Sequence, residues 1–121
     1  MSTSVLIVDD HASFRATARL LLETEGFDVV GEAETGAAAL GAAAALHPAL
    51  VLLDVNLPDT DGFAVAERLG ELDEPPAVIL TSSRDGCDFG SLVSTCGARG
   101  FVPKAELSAR AIEALLPAPC A

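Results

Sequence analysis

Short apolar blocks recur along this chain, and each is followed by polar residues of a particular kind. Val5-Leu6-Ile7-Val8 stops at Asp9-Asp10, Leu50-Val51-Leu52-Leu53 at Asp54, and Val78-Ile79-Leu80 at Thr81-Ser82-Ser83. Gly100-Phe101-Val102-Pro103 stops at Lys104. Unbroken apolar runs of this length, without alternation, are the pattern of strands buried on both faces of a parallel sheet. Residues 5–8, 28–32, 50–53, 77–81 and 100–102 are therefore predicted as strands.

Between the blocks the period changes to that of a helix. Phe14, Ala18, Leu21 and Leu22 make an apolar stripe over 12–25, and Gly26 reads as its stop. Residues 36–46 are almost all alanine, and His47-Pro48 ends that helix because proline disfavours helix in the residue before it. A turn-rich loop, Asn56-Leu57-Pro58-Asp59-Thr60-Asp61-Gly62, leads into a helix over 63–72, which Glu74-Pro75-Pro76 breaks. A last helix is predicted over 107–116, with Glu106 and Ser108 near its start. The stretch 84–97 completes the alternation, but it holds Gly86, Gly90 and Gly97. Each interior glycine costs a helix ~1 kcal/mol relative to alanine, so a short, frayed or mobile helix is expected there.

Five strands alternating with five helices imply parallel pairing with right-handed crossovers, hence a three-layer αβα sandwich and a single domain over 1–121. In such a sheet all strands point the same way, and ligands bind outside their carboxyl ends. The polar residues that stop the apolar blocks then meet at one rim: three carboxylates, a hydroxyl and an ammonium. Asp9, Asp10 and Asp54 are like charges brought close, which disfavours full ionisation. A hard cation relieves this. Mg²⁺ takes one or two carboxylates, several waters and a phosphate oxygen. The blander reading of Asp10 is an N-cap of the first helix.

Asp54 is the candidate nucleophile, because a rigid strand positions it and a carboxylate can form an acyl phosphate. Ser82, ahead of Thr81, is the candidate hydroxyl for a phosphoryl oxygen, although either could instead satisfy backbone at a strand end. Lys104 supplies a point charge for phosphate.

Charge changes the picture of partners. With 7 Lys+Arg against 18 Asp+Glu, the formal net charge is −11. Nucleic-acid binding draws on clustered Lys and Arg, so direct contact with nucleic acid by this chain is disfavoured. No apolar run reaches the ~18 residues that suggest a membrane span, and Met1-Ser2-Thr3-Ser4 lacks a signal-peptide n-region, so a cytoplasmic location is expected. Cys87, Cys96 and Cys120 form no metal-ligand pattern and read as reduced thiols.

Taken together, Asp9-Asp10, Asp54 with Asn56 to Phe63, Thr81-Ser82-Ser83, and Gly97 to Lys104 resemble the receiver domain of bacterial two-component response regulators. The likeness covers essentially the whole chain. Val29-Val30-Gly31-Glu32-Ala33 is similar to receivers that precede helix-turn-helix outputs. The resemblance implies a flavodoxin-like sheet of order 2-1-3-4-5. It implies that Asp54 accepts a phosphoryl group from the phosphohistidine of a sensor histidine kinase. It further implies that Asp10, Asp54 and the Asn56 carbonyl ligate Mg²⁺, with Asp9 acting largely through water. Ser82 would be the switch hydroxyl, Lys104 the phosphate-binding lysine and Phe101 the switch aromatic, whose alternative is plain core packing. Asn56 and Arg84 would tune phosphate lifetime.

Modification would change the surface formed by 84–97, the last strand and the last helix, and so control a separate output protein or homodimerisation. Ala105 follows Lys104 where family members often carry proline, and a cis bond without proline costs ~3 kcal/mol. The chain acts on its own aspartate and so is not expected to be a turnover enzyme. The alternatives are a degenerate receiver working as a phosphorylation-independent scaffold and a small Mg²⁺-dependent phosphohydrolase. The latter usually wants an acid two residues after its nucleophile, where Asn56 stands.

Overall fold

The computed structural model describes residues 3–82 and 98–115. The elements run β1 (Ser4–Val8), α1 (Ala12–Thr24), β2 (Asp28–Ala33), α2 (Gly36–Leu46), β3 (Leu50–Asp54), α3 (Gly62–Leu69), β4 (Ala77–Ser82) and β5 (Gly100–Pro103). A 3-10 turn (Lys104–Glu106) and α4 (Ala109–Leu115) follow. The expected helix over 84–97 lies outside the described residues, as do Ser83, Arg84 and the three cysteines.

All strand pairs are parallel, and the sheet order is β2-β1-β3-β4-β5. This is the doubly wound arrangement expected from the strand–helix alternation. Helix-former composition fixes α2: Thr35 accepts from Ala38 N at its start, and His47 caps its end in the left-handed region (φ 49°). At Gly26, φ is 95°, which an L side chain rarely adopts and which lets the chain leave α1.

Most boundaries shift by at most one residue, and three differences matter more. α3 stops at Leu69 rather than reaching 72, because Gly70 takes the C-cap and the chain turns through Glu71 and Leu72. Asp54 belongs to β3 as its last residue, and is not a loop residue following it. The last helix starts at Ala109, two residues later than expected, because Lys104–Glu106 forms its own tight turn and Ser108 Oγ accepts from Ala111 N. No described peptide bond is cis.

The sheet carries a core on each face. Val5, Ile7, Leu50, Leu52, Ile79 and Val102 face Ala18 and Leu22 of α1 and Ile112 of α4. Leu6, Val8, Val51, Leu53, Val78 and Leu80 face α2 and α3 through Ala39, Ala43, Val65 and Leu69. Side chains alternate between faces along a strand. That alternation, continued past the apolar residues, decides where each polar strand-end residue emerges.

Candidate functional site

Asp9 continues the parity of Val5 and Ile7, Asp54 that of Leu50 and Leu52, and Thr81 that of Ile79. All three emerge on the α1/α4 face. Asp54 and Thr81 are register partners across β3 and β4, so their side chains stand beside one another. Ser82 has the parity of Leu80 and pairs with Pro103, so it leaves on the opposite face. Phe101 pairs with Leu80 and packs, half-buried, against the α2/α3 core. The sequence reading prefers Ser82 to Thr81 as the site hydroxyl; the geometry puts Thr81 on the Asp54 face. Counting alternation onward from Ile79 is the signal that finds it.

The floor of the site is buried. Asp9 is 0% exposed and Thr81 1%, and Asp54 is buried as well. Lys104 reaches in from the turn after β5. Its Nζ lies 2.6 Å from Asp9 Oδ2 and 3.5 Å from Asp54 Oδ2. The same ammonium sits 4.5 Å from the centre of the Phe14 ring, so α1 braces it by a cation–π contact. Asp9 Oδ2 is held by its ion pair with Lys104, and among the described residues Thr81 Oγ1 makes no hydrogen bond. Buried polar atoms without such partners are rare and ask for an explanation. Ser82, by contrast, has a partner for its polar atoms.

Asp54 Oδ1 accepts from Asn56 N at 3.2 Å. Burial pushes the Asp54 carboxyl above its ordinary value, and the Asp9 charge pushes the same way. Lys104 and the Asn56 N–H pull it back down, while Asp10 adds a smaller upward push.

The turn at Asp9-Asp10-His11 is held tightly. His11 N donates to Asp9 Oδ1 at 2.8 Å. The backbone of Asp9 is fixed from two sides: its N–H donates to the Ala33 carbonyl, and its carbonyl accepts from Arg15 Nη1 at 2.6 Å. Arg15 is itself held by Glu32, which also receives Arg19. His11, not Asp10, is the N-cap residue of α1, and it caps with no side-chain hydrogen bond. The capping explanation for Asp10 is therefore corrected, and its carboxylate is left at the open edge of the site, 35% exposed.

Asp9, Asp10, His11 and Asp54 offer ligand atoms that all lie within 4.8 Å of one another. The sequence reading brings together the three acids and gives His11 no role. The loop beyond Asp54 is anchored separately. Asn56 bridges to Asp61, and Asp59 accepts from Gly36 N and Ala37 N at 2.8 and 3.1 Å, closing the loop onto the start of α2. Arg84 is outside the described residues.

This donor set suits a small oxygen-seeking dication. Three converging carboxylates, one of them raised by burial and by its neighbours, are relieved by a divalent charge.

Residues 5–116 match the family model described as the response regulator receiver domain. The chain belongs to that family. The receiver is 40% identical over 106 residues to BvgA of Bordetella pertussis, named a positive transcription regulator of virulence factors, covering 88% of this chain and 51% of that protein. It is 31% identical over 115 residues to the chemotaxis protein CheY of Bacillus subtilis, covering 95% and 96%. Among solved structures, the signal receiver domain of the response regulator NarL from Mycobacterium tuberculosis superposes with a TM-score of 0.82 at 33% identity, covering 94% of this chain and 96% of that one. The receiver spans about half the length of the first curated relatives it matches. These relatives are named as regulators. No described helix is long and apolar enough to cross a membrane.

Proposed function

We propose that this receiver is a phosphorylation-switched signalling domain, one domain over 1–121, in which Asp54 takes a phosphoryl group from the phosphohistidine of a sensor histidine kinase. The observation that carries the reading is the placement of Lys104 Nζ between Asp9 and Asp54, with the unpartnered Thr81 hydroxyl on the same face.

A carboxylate oxygen of Asp54 attacks phosphorus. A P–O bond forms as the P–N bond to the kinase imidazole breaks. That nitrogen keeps the electron pair, and the imidazole, protonated on its other nitrogen, leaves neutral. The product is an acyl phosphate on Asp54. Asp10, Asp54 and the Asn56 carbonyl would hold Mg²⁺, with Asp9 acting through water. When bound, the ion offsets the charge of the phosphoryl oxygens. Lys104 moves its charge from Asp54 to a phosphoryl oxygen, and Thr81 donates its hydroxyl to another. We assign that hydroxyl to Thr81 in place of Ser82.

Phe101 lies on the far face of the sheet, one register step from Thr81. Withdrawal of the Thr81 end of β4 toward the phosphoryl group changes the packing that Phe101 meets. It thereby alters the surface that includes β5 and α4, the expected docking face for an output domain, a separate output protein or a second copy. Such a switch biases a two-state equilibrium by differential contacts. The kinase and the cytoplasm as its place of action follow from the same reading.

Incubation with Mg²⁺ and acetyl phosphate, followed by intact mass measurement, tests it. One phosphate adduct is expected, absent without Mg²⁺ and absent in Asp54→Asn. No adduct from either acetyl phosphate or a phosphorylated kinase sinks the reading.

A further inference from the structure

We propose that Arg15 is a positioning residue for the cation site: its guanidinium, anchored on Glu32, holds the Asp9 carbonyl and so sets the peptide from which the Asp10 carboxylate projects. The proposal rests on the reading above for which cation the acids take. It adds a residue that stands outside the acid cluster.

Two soft dihedrals per residue decide where a side chain leaves the backbone. Asp9 is the first residue past β1, where the regular ladder stops fixing them. Its N–H still reaches β2, on the Ala33 carbonyl at 3.0 Å, and its carbonyl accepts from Arg15 Nη1 at 2.6 Å. Arg15 Nε donates to Glu32 Oε1 at 3.1 Å. Glu32 and Ala33 are the last two residues of β2, so both grips on Asp9 come from one strand end. Arg15 also works through its backbone, whose N–H donates to the His11 carbonyl at 3.1 Å and closes the first turn of α1. Helical side chains lean toward the N-terminus, which carries the guanidinium back over Asp9. Asp10 therefore sits between two residues that one arginine holds, Asp9 by its side chain and His11 by its main chain.

Glu32 gives the arrangement its selectivity. A guanidinium is the side chain best suited to pair with a carboxylate, and three acids stand close by. Glu32 takes Nε, and the fork is thereby aimed at a backbone oxygen and not at a cluster acid. Arg19 Nη1 holds the other Glu32 oxygen at 2.7 Å, so the anchor is itself braced. The Arg15 side chain is only 16% exposed, so solvent does little to weaken these charge-assisted bonds. Electrostatics separates positioning from mere fastening of α1 to β2. Loss of a positive charge beside the acids favours binding of a dication, whereas loss of positioning opposes it. The sign of the change in Mg²⁺ affinity thus tells the two apart.

Calorimetric titration of the full chain with Mg²⁺ tests this in the wild type, Arg15→Met and Arg19→Met. Arg19→Met removes a charge from the same Glu32 and leaves the Asp9 carbonyl bond standing. Arg15→Met should weaken Mg²⁺ binding by ~10-fold or more, the low end of the cost of disturbing an outer partner of a metal ligand. Arg19→Met should not weaken it. In phosphorylation by acetyl phosphate, the Mg²⁺ concentration for half-maximal rate should rise by the same factor in Arg15→Met, while the rate at saturating Mg²⁺ stays that of wild type. Arg15→Lys keeps the charge but loses the fork, and carries the same test should Arg15→Met not fold. Unchanged or tighter Mg²⁺ binding in Arg15→Met overturns the proposal. So does an equal weakening in Arg19→Met, since a general loosening of α1 would then be the cause. Wild-type protein whose Mg²⁺ affinity depends on Arg15 but which takes no phosphoryl group supports this inference and removes the phosphoacceptor reading above. Wild-type protein that binds no Mg²⁺ overturns both.

Discussion

Two aspartates five residues apart in one connection occupy opposite electrostatic worlds. Asp54 ends β3 in a buried position among other acids, and burial raises its carboxyl. Asp59 stands in solvent, accepts two backbone N–H groups at the start of α2, and is held below its ordinary value. The second is a charge placed where a helix N-terminus favours it. The first is a charge placed where the fold alone would not want it. Perturbed groups of that kind gather where chemistry needs them. The connection that carries both is therefore fastened at its Asp59 end and left energetically costly at its Asp54 end.

The largest way to break this contrast is to move the ground under both. Gly62 N donates to the Val55 carbonyl at 2.7 Å, and the start of α3 is pressed against the end of β3. A Cβ at Gly62 would sit 2.9 Å from Val55 Cα and overlap the Asp54 carbonyl. Backbone cannot rotate away as a side chain could. Gly62→Ala should cost about 3 kcal/mol, the upper part of the range for overpacking. Urea unfolding should show it as a lower midpoint with an unchanged slope. Phosphorylation from acetyl phosphate should fall as well, because the displaced group is the one that carries Asp54.

Next in size is Lys104→Met, which keeps the length of the side chain and its contact with Phe14 but removes the cation. Asp9 would be left buried with no compensating charge, at about 2 kcal/mol. Asp54 would lose the main influence holding its carboxyl down, so its titration should move higher still. Carboxyl NMR during a pH titration reads this directly. An Asp54 titration that stays in place would show that Lys104 does not couple to it.

How much of this was legible beforehand follows from which signals are local. Strand positions were visible because short apolar blocks bounded by polar residues have few other readings, and the rim followed because parallel strands share a direction. Asp9, Asp10, Asp54 and Lys104 come together as that logic requires. Facing was less visible. Choosing Thr81 over Ser82 needs the parity of β4 and its register with β3, and one residue of slip exchanges the faces. His11 was hidden because histidine after two acids reads as a loop residue until the turn is seen folding its ring back onto them. The Asp59 contact spans 23 residues of sequence, and no local pattern announces it. The early end of α3 at Leu69 shows the reverse case, a local signal in Gly70 that outweighs the apolar Leu72 beyond it.

A smaller effect sharpens the contrast by reversing a sign. The folded-state carboxyl of Asp54 is raised, so ionisation costs the folded protein more than the unfolded chain. That cost is fully present above the raised folded value and vanishes below the ordinary carboxylate value. Asp54→Asn should therefore raise Tm at pH 7 in EDTA, and the gain should disappear on acidification. Mg²⁺ should raise the Tm of the wild type and remove much of the difference, because binding to the folded state alone adds stability by mass action. A variant less stable than wild type at pH 7 in EDTA would contradict the assigned electrostatics of the rim.

The smallest effect belongs to Asp59→Asn. The amide oxygen can still accept from Gly36 N, but the amide nitrogen cannot accept from Ala37 N, so the charge and the second hydrogen bond disappear. The Asp59 carboxyl is lowered in the folded state, so its contribution is complete above the ordinary carboxylate value and is lost as pH falls through the folded one. At pH 7 the variant should melt slightly below wild type, and the gap should close in acid. The two aspartate variants thus start on opposite sides of wild type at neutral pH and converge on it from opposite directions. Salt separates them again. Asp59 is exposed, so high ionic strength should shrink its deficit, whereas the buried Asp54 is screened far less and should keep its gain. Equal salt sensitivity for the two would mean that Asp54 ionises in contact with solvent, which its burial beneath Lys104 and Asp9 argues against.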